Sequence, residues 1–340
     1  MSFKVQLQRS GRCFDAETAE TVLNAGLRQG YALPFGCRNG ACGSCRVRLV
    51  EGKVEHAAPP RALSEAETSA GYVLMCLAHA HSDLTLDLHQ PESLEMLRPR
   101  TLPVRVAGHR PLSHDVIELR VTLPRGEAFR WVPGQYVDFL LADGRRRSFS
   151  IANAQPADGT LGFHLRVTPG GFFTHYVQDD MPERAILRFE GPFGAFYVRE
   201  DSARSVIMMA GGTGFSPIKA MLERQLARGL KRPFHLFWGA RTSGDLYLHE
   251  LASSWAQQHA GFRYTPVLSE HEAGWSGETG FVHEAVLRAQ PDLSGHEVYM
   301  AGPPVMVHAG KKAFVAAGLD ADHLYYDSFD YAFETWPALG

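Results

Sequence analysis

The chain has 340 residues, of which 45% are hydrophobic and 21% are charged, and its formal net charge is −3. That length is sufficient for two or three domains, and the composition is ordinary for a packed globular protein. The small net charge argues against nucleic-acid or anionic-membrane partners, and no apolar run is long enough to span a bilayer. Residues 1–12 lack the apolar core of a signal peptide, so we expect a cytoplasmic protein.

The first part of the chain predicts a small domain of strands, one helix and a cysteine loop. Phe3–Leu7 alternates with period two, as a half-buried strand does, and Ala16–Gly30 has helix formers with apolar spacing before a glycine. Arg46–Val50 and Leu84–Leu88 are predicted strands. Three prolines and mixed charges between residues 90 and 103 indicate a linker.

Three of the five cysteines lie in one glycine-rich loop. Cys37, Cys42 and Cys45 form a C-x4-C-x2-C pattern, and Cys76 follows thirty-one residues after the third. This spacing is typical of plant-type [2Fe–2S] proteins, in which four thiolates complete the tetrahedral coordination of two irons. The alternatives are a zinc site and buried structural cysteines. Zinc sites usually pair two C-x2-C units, of which only one is present here, and structural cysteines would have no reason to cluster around glycines. Cys13 stands apart and is interpreted as a buried small hydrophobe.

Two patterns divide the rest of the chain. From Pro103 to about Val198, short alternating strands with turn residues between them predict an antiparallel barrel. From Arg204 onward, apolar runs alternate with helical segments, which indicates a parallel α/β sheet covered on both faces. We therefore predict four segments: a cysteine-loop domain at residues 1–92, a linker at 93–102, a barrel at 103–200 and an α/β domain at 201–340.

The α/β region carries a glycine-rich turn at Gly211-Gly212-Thr213-Gly214. It follows an apolar strand at Val206–Ala210 and precedes a predicted helix at Ile218–Gln225. Glycines allow the backbone to approach a pyrophosphate, and the start of the helix faces that group. Pro217 stands where the third glycine of a G-x-G-x-x-G fingerprint would be, so the turn has a pattern of its own.

In these motifs and in their order, the whole chain resembles the ferredoxin–NADP reductase superfamily, in the arrangement with an N-terminal plant-type ferredoxin domain. The resemblance implies a multidomain α+β and α/β protein: a β-grasp ferredoxin domain, an antiparallel β-barrel that binds FAD, and a parallel-sheet domain that binds a nicotinamide nucleotide. It implies that a [2Fe–2S] cluster is held by Cys37, Cys42, Cys45 and Cys76.

The family's R-x-Y-S flavin motif corresponds here to Arg147-Ser148-Phe149-Ser150, with phenylalanine in place of tyrosine. The resemblance places Arg147 on the flavin phosphates, Phe149 against the isoalloxazine ring and Ser150 near flavin N5, where it acts in catalysis. Taken alone, Phe149 would be interpreted as a core residue of a strand. The resemblance also implies a pyrophosphate cradle at the start of a helix, formed by Gly170, Gly171 and Thr174.

Three further segments are assigned by the resemblance to the nicotinamide site. Arg241 follows the second α/β strand, and Gly302-Pro303 follows a later one. Phe329 is the candidate for the C-terminal aromatic that lies on the flavin face which the nicotinamide must reach, with a core residue as the alternative. Glu270 stands where relatives that use NADPH often have a basic residue, and its carboxylate would repel a 2′-phosphate. Arg241 favours the opposite choice, and on balance we expect NADH.

The expected activity is that of a reductase that moves electrons from NADH through FAD and a [2Fe–2S] cluster to a protein acceptor. Reductases of bacterial multicomponent oxygenases and of CDP-6-deoxyhexulose 3-dehydrases share this layout. An oxygenase component, either a Rieske dioxygenase or a di-iron monooxygenase, is favoured because such systems are more numerous. A redox sensor without turnover is a third interpretation, and the intact cysteine, arginine and glycine motifs argue against it.

Overall fold

The computed structural model describes residues 1–31, 33–35, 38–40, 43–88, 99–156, 158–270 and 272–329. The chain forms two compact units, one of residues 1–100 with 191–195 and the other of residues 101–190 with 196–340. Cys37, Cys42, most of the predicted linker and the chain after Phe329 lie outside the described residues. None of the helices in the described ranges is both long and apolar enough to cross a membrane.

The helices and strands of the described residues are numbered in chain order. The α-helices are α1 (Val22–Arg28), α2 (Glu65–Ser69), α3 (Phe172–His175), α4 (Phe215–Ala227), α5 (His249–Gln258), α6 (Val282–Ala289) and α7 (Pro304–Ala316). The strands are β1 (Ser2–Leu7), β2 (Cys13–Glu17), β3 (Arg46–Glu51), β4 (Val54–His56), β5 (Tyr72–Leu74), β6 (Ala78–Ala80), β7 (Leu84–Asp87), β8 (Arg100–Pro111), β9 (Val116–Thr122), β10 (Tyr136–Leu140), β11 (Arg146–Ser150), β12 (Leu161–Arg166), β13 (Ile186–Phe193), β14 (Ser205–Gly211), β15 (Phe234–Ala240), β16 (Phe262–Leu268), β17 (Glu278–Thr279), β18 (His296–Gly302) and β19 (Leu324–Ser328).

The first unit is built on a five-stranded mixed sheet of order β2-β1-β7-β3-β5. Strand β1 runs parallel to β7, whereas the β1–β2, β3–β7 and β3–β5 pairs are antiparallel. Alternating burial along β1 places Val5 and Leu7 in the core, as period-two patterning requires. Helix α1 adds Val22 and Leu23 to this core. This is the predicted β-grasp domain, and the predicted strands at Phe3–Leu7, Arg46–Val50 and Leu84–Leu88 are confirmed.

The predicted start of the first helix is wrong. Ala16 lies in strand β2, where it is fully buried and pairs with Phe3 of β1. The helix begins only at Val22, after Thr21, whose side chain accepts a hydrogen bond from the Asn24 N–H. Pairing with a distant strand has overridden the helix propensity of the alanine.

The second unit begins with a six-stranded sheet of order β11-β10-β13-β8-β9-β12. An antiparallel bridge between Ile151 and Phe163 joins the two edges of this sheet and closes it into a barrel. Its interior is filled by large side chains, among them Phe139, Phe163 and Phe189. The predicted barrel is confirmed, and its first strand, β8, begins at Arg100, inside the segment predicted as a linker.

The α/β part of the second unit is a six-stranded parallel sheet of order β17-β16-β15-β14-β18-β19. Helices α4 and α5 contribute to the core on one face, and α6 and α7 to the core on the other. Strands β15, β16 and β17 follow one another on one side of β14, and β18 and β19 lie on its other side. The switch therefore lies between β14 and β18, and doubly wound sheets bind ligands at the carboxyl ends of the strands at such a point.

Candidate cofactor and nucleotide sites

Cys45 and Cys76 are the two predicted cluster ligands that the structure describes. Both are buried, with 2% and 6% of their surface exposed, and neither forms a disulfide. The Met75 N–H donates to the Cys45 carbonyl oxygen at 3.1 Å, so the chain leading into Cys76 lies beside the end of the cysteine loop. The fold thus brings the chain segments of two buried thiols together. These thiols provide part of the ligand set that an iron–sulfur cluster needs.

The glycines of the cysteine loop allow a close approach of the backbone. Gly40 has a φ of +79°, and a Cβ placed on it would lie 2.4 Å from the Leu77 Cδ1 atom. Gly43 also has a positive φ, of 72°. Glycine is the residue that adopts this conformation readily. The loop thus passes tightly against the residue that follows Cys76, and the described residues fit a cluster that is wrapped by this loop.

The two predicted flavin segments meet in the barrel. Arg147 and Phe149 share one face of β11, because successive side chains of a strand alternate. The half-buried Phe149 ring lies 5.6 Å from the ring of Phe173, at the start of α3. Ser150 is the last residue of β11 and, by the same alternation, lies on the opposite face. Its role at flavin N5 therefore stays a prediction.

Positive charge is concentrated at the start of β11. Arg145 forms an ion pair with Asp143, and Arg146 forms one with Glu190. Arg147 donates from Nη1 to the carbonyl oxygen of Arg146 at 2.8 Å. Burial, followed by the charge of Arg145, lowers the pKa of the Arg147 guanidinium, which remains charged at neutral pH. A partly buried and permanently charged guanidinium can donate two hydrogen bonds to one phosphate, which suits the predicted contact with the flavin phosphates.

The glycine turn before α3 has the tight geometry of an anion cradle. Gly170 has a φ of +80°, and a Cβ on Gly171 would lie 2.7 Å from the Thr174 Oγ1 atom. The Thr174 hydroxyl donates to the Gly171 carbonyl oxygen at 3.0 Å and so holds the turn together. The first N–H groups of the helix have no intrahelical acceptor and are the groups that would meet a phosphate.

At the switch point, the loops after β14 and β18 pack backbone against backbone. A Cβ on Gly214 would lie 1.9 Å from the Ala301 carbonyl oxygen, and one on Gly211 would lie 2.5 Å from the Met306 sulfur. A Cβ on Gly302, whose φ is +146°, would lie 2.9 Å from the Gly211 carbonyl oxygen. Neighbouring atoms leave no room for a side chain at these three positions, and the positive φ of Gly302 also favours glycine. These glycines allow the two loops to pack closely at the point where a dinucleotide would approach the backbone.

Helix α4, which follows the glycine turn, is joined directly to the end of the flavin strand. The Ser216 hydroxyl donates to the Ser150 carbonyl oxygen at 3.2 Å. Lys219 Nζ donates to the Ala152 carbonyl oxygen at 3.0 Å and pairs with Glu223. The predicted nucleotide turn and the predicted flavin strand are therefore neighbours. Sequence reasoning missed these helix residues, since nothing in their spacing signals a partner more than sixty residues away.

Arg166 of β12 is a further residue that sequence reasoning missed. Its Nη1 atom would lie 2.8 Å from a Cβ on Gly212, whose φ is +52°. Its Nε donates to a carboxylate oxygen of Asp115 at 2.8 Å, which holds the guanidinium in place. A fixed guanidinium beside the glycine turn is well placed for an anionic group bound there.

Phe329 and Arg241 lie at the same edge of the parallel sheet, at different strands. The Phe329 N–H donates to the Gly302 carbonyl oxygen at 2.9 Å, which places this half-buried residue beside the loop of Gly302 and Pro303. Arg241 follows β15, and its side chain is 63% exposed, with Nε 3.9 Å from Oδ2 of Asp245. The structure thus brings Phe329 to the switch point and places Arg241 at the neighbouring strand, where the other end of a dinucleotide would extend.

Three parts of the chain match known domain families. Residues 5–81 match the 2Fe-2S iron-sulfur cluster binding domain, residues 103–197 the oxidoreductase FAD-binding domain, and residues 208–312 the oxidoreductase NAD-binding domain. The CDP-6-deoxy-L-threo-D-glycero-4-hexulose-3-dehydrase reductase of Yersinia pestis is 35% identical over 97% of this chain and 99% of its own length. This chain belongs to the ferredoxin–NADP reductase superfamily, in the arrangement with an N-terminal plant-type ferredoxin domain.

Other relatives also match over almost the whole of this chain. The reductase component of phenol 2-monooxygenase from Pseudomonas sp. (strain CF600) is 33% identical over 97% of this chain and 95% of its own length. Among solved structures, an Amycolatopsis cytochrome P450 reductase superposes with a TM-score of 0.76 at 30% identity, covering 96% of this chain and 98% of its own. The reductase is an electron-transfer oxidoreductase with domains for a [2Fe–2S] cluster, FAD and NAD. The predicted family, fold class and cofactors are confirmed.

Proposed function

We propose that this reductase takes hydride from NADH and delivers electrons one at a time to a separate oxygenase component. The observation that carries this proposal is the hydrogen bond from Ser216 to the Ser150 carbonyl oxygen. It joins the helix after the nucleotide turn to the strand of the flavin motif. A nicotinamide bound at the turn would thus lie next to a flavin bound at the strand, and proximity of the two reactants is the main requirement of hydride transfer.

The roles of the individual residues follow from their positions. Gly211, Gly214 and Gly302 allow the two loops at the switch point to pack closely, and Phe329 is hydrogen-bonded to the loop of Gly302. Arg147 supplies fixed positive charge for the flavin phosphates. Bound flavin exchanges electrons in pairs with nicotinamide and singly with iron, which is the chemistry that this group supplies.

The cluster would be held by Cys37, Cys42, Cys45 and Cys76. The two described thiols are buried, the Met75 N–H bonds to the Cys45 carbonyl oxygen, and the glycine loop before Cys45 packs closely against Leu77, the residue after Cys76. Thiolates are the ligands that a [2Fe–2S] centre requires, and burial protects the centre from water. This part of the chain is therefore proposed as the exit point for single electrons.

The acceptor has two candidates. An oxygenase component is favoured because reductases of phenol and terephthalate oxygenases match over almost the whole chain. A CDP-6-deoxyhexulose 3-dehydrase is the second candidate, because the two Yersinia reductases of that system are each 35% identical over 97% of this chain.

The acceptor can be identified by supplying the purified reductase, with NADH, to an oxygenase component of the phenol type and, separately, to a CDP-6-deoxyhexulose dehydrase. We expect NADH oxidation coupled to hydroxylated product with the oxygenase. If NADH oxidation is coupled only to formation of the deoxysugar product, the acceptor is the dehydrase and not the oxygenase. Omission of the reductase from each mixture is the matched control.

A further inference from the structure

In the loop after β15, two hydrogen-bond donors of Ser243 are both accepted by the carboxylate of a glutamate from another loop. The Ser243 N–H donates to Oε2 of Glu272 at 2.8 Å, and the Ser243 hydroxyl donates to Oε1 at 2.5 Å. Glu272 lies in the loop after β16, the strand that pairs with β15. The two loops are also joined through their backbones, since the Glu270 N–H donates to the Arg241 carbonyl oxygen at 3.1 Å.

This donor pair has the chemistry of a phosphate site. A backbone N–H and a hydroxyl that converge on two oxygens of one anion bind a carboxylate and a phosphate equally well in geometric terms. The pair lies at the carboxyl edge of the parallel sheet, one strand away from the glycine turn of β14. A dinucleotide whose nicotinamide end lies at the switch point extends its adenosine end along this edge.

We propose that Glu272 occupies the donors of Ser243 that a 2′-phosphate would otherwise take, and that it thereby makes the reductase select NADH over NADPH. The inference rests on the proposed use of NADH and names the residue that enforces it. Neither Glu270 nor Arg241, the two residues that sequence considerations single out, contacts the donor pair in the hydrogen bonds described here.

The charges around Ser243 also oppose the binding of a phosphate. Hydrogen bonds from the Ser243 side chain and backbone lower the pKa of the Glu272 carboxyl, so it is ionised at neutral pH. Asp245 lies 3.9 Å from the guanidinium of Arg241, and Glu270, whose side chain is exposed, is joined to Arg241 through the backbone. Residues 241–245 and 270–272 together carry three acidic residues and one arginine, so a phosphate dianion bound among them would be repelled.

The two donors of Thr242, the residue before Ser243, are also satisfied within the loop. The Thr242 N–H and hydroxyl both donate to Oδ2 of Asp245, at 3.0 and 3.1 Å. Asp245 is 5% exposed, so it cannot swing away to make room for a ligand as easily as a surface glutamate can. Glu272, which reaches in from a neighbouring loop, is therefore the residue whose removal opens a phosphate site.

The test is a binding measurement on the complete protein with adenosine 2′,5′-bisphosphate and 5′-AMP, by titration calorimetry, with NADPH and NADH kinetics as a second readout. We expect Glu272→Ala to bind the bisphosphate at least about tenfold more tightly, equivalent to roughly 1.4 kcal/mol, with 5′-AMP binding changed by less than about twofold. Adding Ser243→Ala to this variant should reduce the gain, because the hydroxyl donor is lost and only the backbone N–H remains. Glu284→Gln, an exposed carboxylate on α6, is the matched control and should change neither ligand.

The outcomes are separable. An unchanged ratio of the two affinities in Glu272→Ala, or an equal gain in Glu284→Gln, overturns the role of Glu272 while leaving the use of NADH intact. A wild-type protein that binds the bisphosphate more tightly than 5′-AMP overturns both. Glu272→Gln keeps an oxygen acceptor for Ser243 and removes only the charge, so it provides the same comparison, with a smaller expected gain, if Glu272→Ala fails to fold.

Discussion

The Ser216 hydroxyl, in the first turn of α4, donates a 3.2 Å hydrogen bond to the carbonyl oxygen of Ser150 at the end of β11. Both residues are buried, with 3% and 9% of their surface exposed. The bond fixes the last residue of the flavin motif to the helix that begins directly after the nucleotide turn. Together with the hydrogen bond from Lys219 Nζ to the Ala152 carbonyl oxygen, this contact positions the two halves of the proposed hydride-transfer site.

Replacement of Ser216 by alanine should leave the Ser150 carbonyl oxygen without this donor. We expect the free energy of unfolding to fall by about 1 kcal/mol, and the rate of flavin reduction by NADH to fall with it, because a buried acceptor loses its partner. Urea unfolding and stopped-flow reduction measure the two effects. Ser254→Ala is the control, because that hydroxyl also donates to a carbonyl oxygen, that of Leu251, but on an outer helix. Equal losses of reduction rate in both variants would contradict the positioning role.

Gly214→Ala should abolish the close packing of the two switch-point loops. The added Cβ would lie 1.9 Å from the Ala301 carbonyl oxygen, so the backbone of one loop must move. We expect a loss of about 3 kcal/mol in stability and loss of NADH binding, as for overpacked cores. Thermal unfolding and nucleotide titration measure these losses. Gly295→Ala, where nothing lies within 4 Å of the added Cβ, should change stability by less than about 0.5 kcal/mol. Similar behaviour of the two variants would rule out the proposed contact.

The stability of this reductase should decrease as the pH falls below about 6.5, the ordinary histidine value. Burial, followed by the charge of Arg263, lowers the pKa of His235 to about 4. Between these two values the unfolded chain binds the proton and the folded protein does not. The stabilising contribution is therefore complete above the unfolded pKa and is lost as the pH falls through this window.

The His235→Gln variant tests that contribution by urea unfolding between pH 7 and pH 5. Removal of one such histidine should reduce the slope of stability against pH by at most about 1.4 kcal/mol per pH unit. Part of the slope should remain, because burial also holds the pKa of His164 well below its ordinary value. His308→Gln, at an exposed position on α7, should keep the wild-type slope. An unchanged slope in His235→Gln would contradict the assignment.

Cys45→Ala should remove the cluster and leave the flavin in place, because three thiolates cannot complete the coordination of two irons. We expect loss of bound iron and of cytochrome c reduction, whereas NADH-dependent ferricyanide reduction by the flavin continues. Cys13→Ala is the control, since the half-buried Cys13 thiol lies 3.7 Å from the Gly11 carbonyl oxygen in a different part of the sheet. Iron retained in Cys45→Ala, or lost in Cys13→Ala, would argue against the assigned ligands.

Much of this fold could be predicted because its signals are local. The alternation of Phe3–Leu7, the apolar run of Val206–Ala210 and the glycine turn after it are each visible in a few residues, and the strands confirm them. Ala16 was misplaced because its burial depends on pairing with Phe3, which no local pattern encodes.

The contacts that complete the site could not be predicted for the same reason. Ser216 meets Ser150 across 66 positions of sequence, and Ser243 meets Glu272 across 29. Serine and glutamate are common on protein surfaces, and their identity alone does not indicate a partner. The first pair forms where helix α4 meets the end of the barrel strand β11, and the second forms where the loops after β15 and β16 meet at one edge of the parallel sheet.

The most direct measurement is an anaerobic titration of the complete protein with NADH, followed by absorbance and electron paramagnetic resonance. If electrons pass from NADH through the flavin to the cluster in one chain, three electrons are taken up, and full reduction requires about 1.5 equivalents of NADH. A rhombic signal of the reduced cluster should grow before the end point. Complete bleaching of the flavin at about one equivalent, with no such signal, would contradict the proposed electron path.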